Sequence, residues 1–363
     1  MPPSRVPRPP AKMIVVVSAT AAILSILIPT PALAHVKWFE DPSRYPLRSD
    51  LVVSERTLWF IAVSAAALAV FYVAQRLAGD PHWPRLWFLH TMAVGAPTLL
   101  AIQAAIGLVQ TAVQPSLLAP NLHLEVNPFG LAVATAAILI AFSFITGIAD
   151  WVGAIALVAL CGLAFILFPP LDALSQAFWA GIAVFVLIIG RPASTVGHVR
   201  PWFARRGVAW SARAVAVLRL ITGVAIVAPA LDEKIWNPAI GAAFLAAHPQ
   251  FNFMRTFLGQ AWFSDDLFVL SAGIAEGLIG VLLISGLLTR VVILGMWVPF
   301  NITIPFLPPA ELLGHLPIFG IMYLLLVHSS GIAPGESIHR ERAPGAPDVG
   351  ESAETLTGEG RTA

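Results

Sequence analysis

Arg219 and Glu276 are ionisable residues standing inside long apolar runs, where a charge costs about 3 kcal/mol or more unless it faces protein or water. Each lies on a face of small residues: Glu276 with Gly273 and Gly280, Arg219 with Ala216 and Gly223. Gly273 and Gly277 form a GxxxG element that permits close helix approach. A helix rises ~1.5 Å per residue, which puts Arg219 about 9 Å and Glu276 about 18 Å from the inner edge of the spans they occupy. Their side chains are expected to meet if the two helices are neighbours. Such a pair is a charge site for a quinol, a proton or a small anion, or else an ion pair that staples two helices.

A second set of polar groups falls in the connection 232–265. Asn237-Pro238 is a helix start, the run to His248 is apolar, and Pro249 stops it. Phe251, Phe253, Met254, Phe257, Trp262 and Phe263 follow, too apolar for a solvated loop. The segment reads as a cap of one or two helices lying in the outer leaflet. A flat apolar ring such as a quinone has an entry beneath it, with Lys234, His248 and Arg255 as hydrogen-bond donors to its carbonyl oxygens; an amphipathic lid without ligand is the other reading. Four of the nine histidines, His35, His123, His248 and His315, are expected on the outer side. His35, as a mature amino terminus, would offer an amine and an imidazole on one residue, a chelate suited to Cu(II). His35, His123 and His315 are therefore the candidate metal ligands, although no pair has the spacing of a known motif.

These residues need a membrane around them. Of 363 residues 58% are hydrophobic and 11% charged, and the mean hydropathy is +0.81; lipid is the main solvent. A net charge of +1 argues against nucleic acid as a partner. The lone Cys161 excludes an internal disulfide, a CxxC pair and a cysteine-ligated cluster. Arg5, Arg8 and Lys12 precede the apolar run 13–28, and Ala32-Leu33-Ala34 has the small-residue pattern of a signal-peptidase site. Residues 1–34 are thus expected to be a cleaved signal peptide, with 35–50 a polar segment on the outer side.

Nine apolar runs follow, at roughly 51–75, 86–110, 129–148, 152–168, 175–190, 213–231, 266–288, 291–306 and 315–328. Most approach the ~20 residues that cross a bilayer, and none alternates like a barrel strand. The fold class is an all-α polytopic bundle of about nine helices. Arg76 and Arg85, then Arg191 to Arg213, then Arg290 and the tail fall in connections on one side, while the opposite connections 111–128, 169–174 and 307–314 carry no arginine or lysine. By the positive-inside rule the mature amino terminus is outside and the carboxyl terminus cytoplasmic, in a bacterial inner membrane. The arginine-rich loop 191–212 divides a five-helix module, 51–190, from a four-helix module, 213–330; residues 331–363 have a disordered composition. Gln103, Gly107, Gln110 and Gln114 make a polar stripe on the second helix, and Pro299 and Pro305 flank Asn301 on the eighth, a pattern some transporters use to break a helix.

Leu218-Arg219-Leu220 with Gly223, the Asp232-Glu233-Lys234 turn, Ala272-Gly273-Ile274-Ala275-Glu276-Gly277, and Gly286-Leu287-Leu288-Thr289-Arg290 resemble the DoxX family of integral membrane proteins, over about residues 213 to 328. The resemblance implies a four-helix membrane module. The family's named members include a subunit of a thiosulfate:quinone oxidoreductase and a component of a mycobacterial membrane oxidoreductase complex. This chain departs from short members in its five extra helices and long outer connection. Walker A, GxGxxG, GxSxG and HExxH signatures are absent, which argues against an autonomous enzyme. The expected function is the membrane subunit of a quinone-linked oxidoreductase, with Arg219 and Glu276 in the catalytic role and a redox partner protein. Two other readings stand beside it: periplasmic-side copper handling or small-solute transport, and a non-catalytic scaffold.

Overall fold

The computed structural model describes residues 36–78, 87–190, 207–303 and 309–329. The expectations for the signal peptide, for His35, for most of the arginine-rich loop and for the tail lie outside them. The described elements are helices, apart from one isolated antiparallel bridge between Ser116 and His123. In chain order they are α1 Glu55–Ala78, α2 Trp87–Val113, α3 Pro128–Thr146, α4 Asp150–Leu167, α5 Pro170–Ser175, α6 Phe178–Ile189, α7 Gly207–Pro229, α8 Pro238–Ala247, α9 Phe253–Thr256, α10 Asp265–Ser285, α11 Thr289–Thr303 and α12 Pro309–His328. Residues 230–235, directly after α7, wind as a π-helical turn.

Six of these helices are long and apolar enough to cross a membrane: α1, α2, α3, α4, α7 with its π turn, and α10; α6 and α11 are shorter apolar helices, and α12 holds a shorter apolar stretch, Leu312–His328. The chain is an all-α, multi-pass membrane bundle. Leu131, Ile138, Leu139 and Phe142 of α3 and Ile155, Val158 and Ile166 of α4 are exposed, as lipid-facing side chains are. Local chemistry sets the helix ends. Asn127 caps α3 by accepting from Gly130 N, with Pro128 at the first helical position, and Gly147 closes it at φ 73°. Ser264 caps α10 by accepting from Leu267 N, Asp265 and Asp266 fill its first turn, and Gly286 ends it at φ 75°.

The helices on either side of residues 191–206 interleave. α12 packs along α2, α6 along α7, and α1 against α10, and one buried cluster runs from Ala67 and Phe71 of α1 to Leu324 and Leu325 of α12. The glutamine stripe of α2 faces α12. A Cβ at Gly320 would come within 2.6 Å of Gln103 Oε1, and one at Gly314 within 3.5 Å of Gln110 Oε1, so the stripe is an interhelical seam. α11 continues through Asn301 to Thr303 without a break; Pro305 lies outside the described residues.

A close backbone approach joins α7 to α10. A Cβ on Gly280 would sit 2.6 Å from Gly223 O and 2.6 Å from Val227 Cγ2, so backbone meets backbone where no side chain fits. Gly280→Ala is therefore expected to cost about 1–3 kcal/mol, seen as a lower thermal unfolding midpoint in detergent.

Candidate functional site

Pro229 closes α7 and is followed at once by the π turn Ala230–Ile235. Proline withholds an amide donor from the helix ladder, and the wider winding begins where that bond is missing, with Trp236 N donating to Leu231 O at 2.7 Å. The turn carries Asp232, Glu233 and Lys234 in succession, and all three are buried, at 5%, 2% and 1% exposure. Each goes to a different neighbour. Asp232 Oδ2 accepts from Lys37 Nζ at 2.5 Å. Glu233 Oε2 accepts from the backbone amide of Val36 at 2.6 Å. Lys234 Nζ donates to Glu276 Oε2 of α10 at 2.7 Å. Gly273 makes the last contact possible, since a Cβ there would lie 2.8 Å from Lys234 Cβ.

Lys37 also donates to Asp172 Oδ1 of α5 at 2.5 Å. Burial opposes its charge, but Asp232 and Asp172 outweigh that and hold the Lys37 ammonium above its ordinary value. The segment that carries Lys37 is fixed along its length. Val36 is buried with Ile240, Phe244 and Phe268. Trp38 Nε1 donates to Asn121 Oδ1 at 3.0 Å and its ring lies 5.1 Å from that of His315. Phe39 packs edge-on to Phe244, and Tyr45 O accepts from Asn237 Nδ2 at 2.6 Å. Residues 36–45 thus tie together the π turn, α5, α8, the loop before α3, and α12.

The structure separates Arg219 from Glu276. Arg219 is buried and donates through Nη1 to Leu283 O and to Ile284 O, the latter at 2.9 Å. It caps the carboxyl end of α10, where the carbonyls have no helical donors. Gly286 gives it room, because a Cβ there would meet the guanidinium at 2.8 Å. Arg290 caps α12 in the same way, donating to Leu326 O at 3.0 Å and Val327 O at 2.8 Å. Arg219→Met is accordingly expected to lower stability by about 1.5–3 kcal/mol, the worth of charge-assisted hydrogen bonds, as measured by thermal unfolding in detergent.

The three residues expected at a ring carbonyl do not share surroundings. Lys234 is enclosed with Glu276. His248 is half-buried among Phe39, Phe244 and Phe251, with ring centroids 4.9–6.2 Å away. Arg255 is exposed and pairs with Asp265 at 3.1 Å. The cap itself is packed, with Phe244, Leu245, Phe251 and Phe263 in one cluster against Phe268, Val269 and Ala272 of α10. Of the expected metal ligands, His315 is buried against Trp38 and His123 is exposed in the loop before α3. Among the described residues no three histidine, cysteine or carboxylate side chains are grouped to hold a metal ion.

Sequence reasoning did not single out Lys37 or Asp172. The available signal was composition: Lys37 is the one charge in Val36-Lys37-Trp38-Phe39, and Asp172 the one charge between Pro169 and Leu174. No family model matches the chain, and no curated protein or solved structure matches it significantly.

Proposed function

We propose that the chain is a DoxX-like membrane subunit of a quinone-linked oxidoreductase in a bacterial inner membrane, with the Val36 end outside. In this reading the Lys234–Glu276 pair handles protons for a quinone head group while electrons pass through a partner protein. The observation that carries it is that pair: an ammonium 2.7 Å from a carboxylate, with side chains 1% and 14% exposed, on two helices that qualify as membrane spans. Ionisable residues at membrane depth are rare and costly and mark proton and substrate paths, and π turns concentrate at functional sites. In this reading the Glu276 carboxyl group takes up and releases the proton while its Oε2 accepts from the Lys234 ammonium. Lys37, Asp172 and Asp232 continue the charged groups from Lys234 toward the Val36 end of the bundle.

One observation favours a scaffold instead. Lys37 and Lys234 are each held in short ion pairs, which suits a staple as well as a relay. The two readings part on Glu276→Gln, which keeps shape and one hydrogen-bond acceptor but cannot ionise. For a proton-handling site, quinol-dependent electron transfer in membranes falls at least tenfold at equal protein abundance; for a staple, activity follows abundance.

A further inference from the structure

Residues 253–264 form a stapled tip at the end of the bundle where α1 and α10 begin, a level fixed by the Arg56–Asp266 ion pair. Asn252 Nδ2 closes the base of the tip, donating to Phe263 O at 3.3 Å and to Asp265 Oδ1 at 2.8 Å. The amides of Phe257, Leu258, Gln260, Ala261 and Phe263 donate to carbonyls inside the segment, and Trp262 Nε1 donates to Gln260 Oε1 at 2.8 Å. Polar groups satisfied in this way cost little in a medium poor in water. Gly259 turns the chain at φ 66°, and a Cβ there would meet nothing within 4 Å, so the apex points away from the protein. Behind it Phe263 is buried against Phe268 of α10. Ahead of it Phe257, Leu258 and Trp262 are 65%, 57% and 67% exposed.

We propose that this tip is a lipid anchor: Phe257, Leu258 and Trp262 enter the head-group and upper acyl region of the leaflet at that end and hold the cap to the bilayer. The tip continues a surface that already faces lipid, for Leu58 and Trp59 of α1 and Leu267 of α10 are exposed at the same level. Tryptophan favours the boundary between head groups and chains, where its ring is solvated by lipid and its N–H stays bonded. Arg255, exposed and paired with Asp265 at the base of the tip, keeps its charge at head-group depth. A protein partner suits the patch less well. A stable interface covers roughly 800 Å² on each side, and three side chains, the aromatic ones burying about 150–250 Å² each when fully enclosed, fall short of that. This inference stands apart from the quinone reading, since it needs only that α1 and α10 cross the bilayer and its readout involves no electron transfer.

The test uses the full chain carrying Cys161→Ala and Leu258→Cys, reconstituted into phosphatidylcholine–phosphatidylglycerol liposomes. Leu258 is exposed, so its replacement leaves the packed cap untouched. A small fluorophore on this cysteine should be quenched by lipids bearing a doxyl group near the head of the acyl chain, and only weakly by iodide present on both sides of the bilayer. A label can draw itself into lipid, so a second measurement uses the bare thiol. A charged methanethiosulfonate reagent, also present on both sides, should modify it about tenfold more slowly than it modifies a free peptide of residues 253–264 with the same substitution, because a thiol in lipid forms little thiolate. Iodide quenching as strong as for the free fluorophore, or a thiol that reacts at the peptide's rate, would overturn the proposal: the tip would then stand in water, open to a partner protein.

Discussion

Lys234→Met is expected to destabilise the protein by about 3–5 kcal/mol, because it removes the ammonium that lies 2.7 Å from Glu276 Oε2 and leaves that carboxylate charged between packed helices. The side chain is among the most deeply enclosed in the molecule, at 1% exposure. Few waters can replace the lost partner. The control is the double variant Lys234→Met with Glu276→Leu, which exchanges the pair for apolar groups of similar size. Buried ion pairs replaced whole are often neutral or stabilising, so the double variant should recover most of the loss. Thermal unfolding in detergent of the single and double variants checks both statements, and a single variant as stable as wild type would contradict the described pair.

The second large effect belongs to Lys37. Its Nζ lies 2.5 Å from carboxylate oxygens of both Asp172 and Asp232, so those oxygens are within about 5 Å of each other, close enough to repel strongly once the ammonium is gone. Lys37→Met is expected to cost about 3–5 kcal/mol near neutral pH and to free residues 36–45, seen as faster amide hydrogen exchange there. The pH dependence has a definite sign. The folded state holds the Lys37 ammonium above its ordinary value of 10.5, so its contribution is fully present below that value and is lost as pH rises through the folded value. The stability gap between wild type and Lys37→Met should stay flat from pH 7 to 9 and narrow only above about pH 10.5.

The helices were legible because lipid imposes them: each expected apolar run lies within a few residues of a helix, from 51–75 against Glu55–Ala78 to 266–288 against Asp265–Ser285. Small-residue faces were legible too. Gly273, Gly277 and Gly280 do bring neighbours close, but three different ones: the π turn, Phe60 of α1, and Gly223 of α7. A sequence shows that a face is small without showing what fills it. The same gap explains Arg219 and Glu276. Both were correctly expected to face protein, and their depths already differed by about 9 Å along the bundle. That offset places Arg219 level with the end of α10, where free carbonyls compete for a guanidinium, and leaves Glu276 level with a lysine on the following π turn. The site depends most on what sequence hides best, namely chain segments far apart in number. Val36 and Lys37 reach residues nearly two hundred positions away, and no periodicity records such a contact.

The most direct test of the central claim is quinol-dependent electron transfer in membranes carrying Glu276→Gln, with protein abundance matched to wild type by immunoblot. If Glu276 handles protons beside Lys234, activity per molecule falls at least tenfold at matched abundance, beside a loss of stability of up to about 3–5 kcal/mol because the buried Lys234 ammonium loses its counter-charge. Activity equal to wild type at matched abundance would contradict the account and leave the Lys234–Glu276 pair as a staple between two helices.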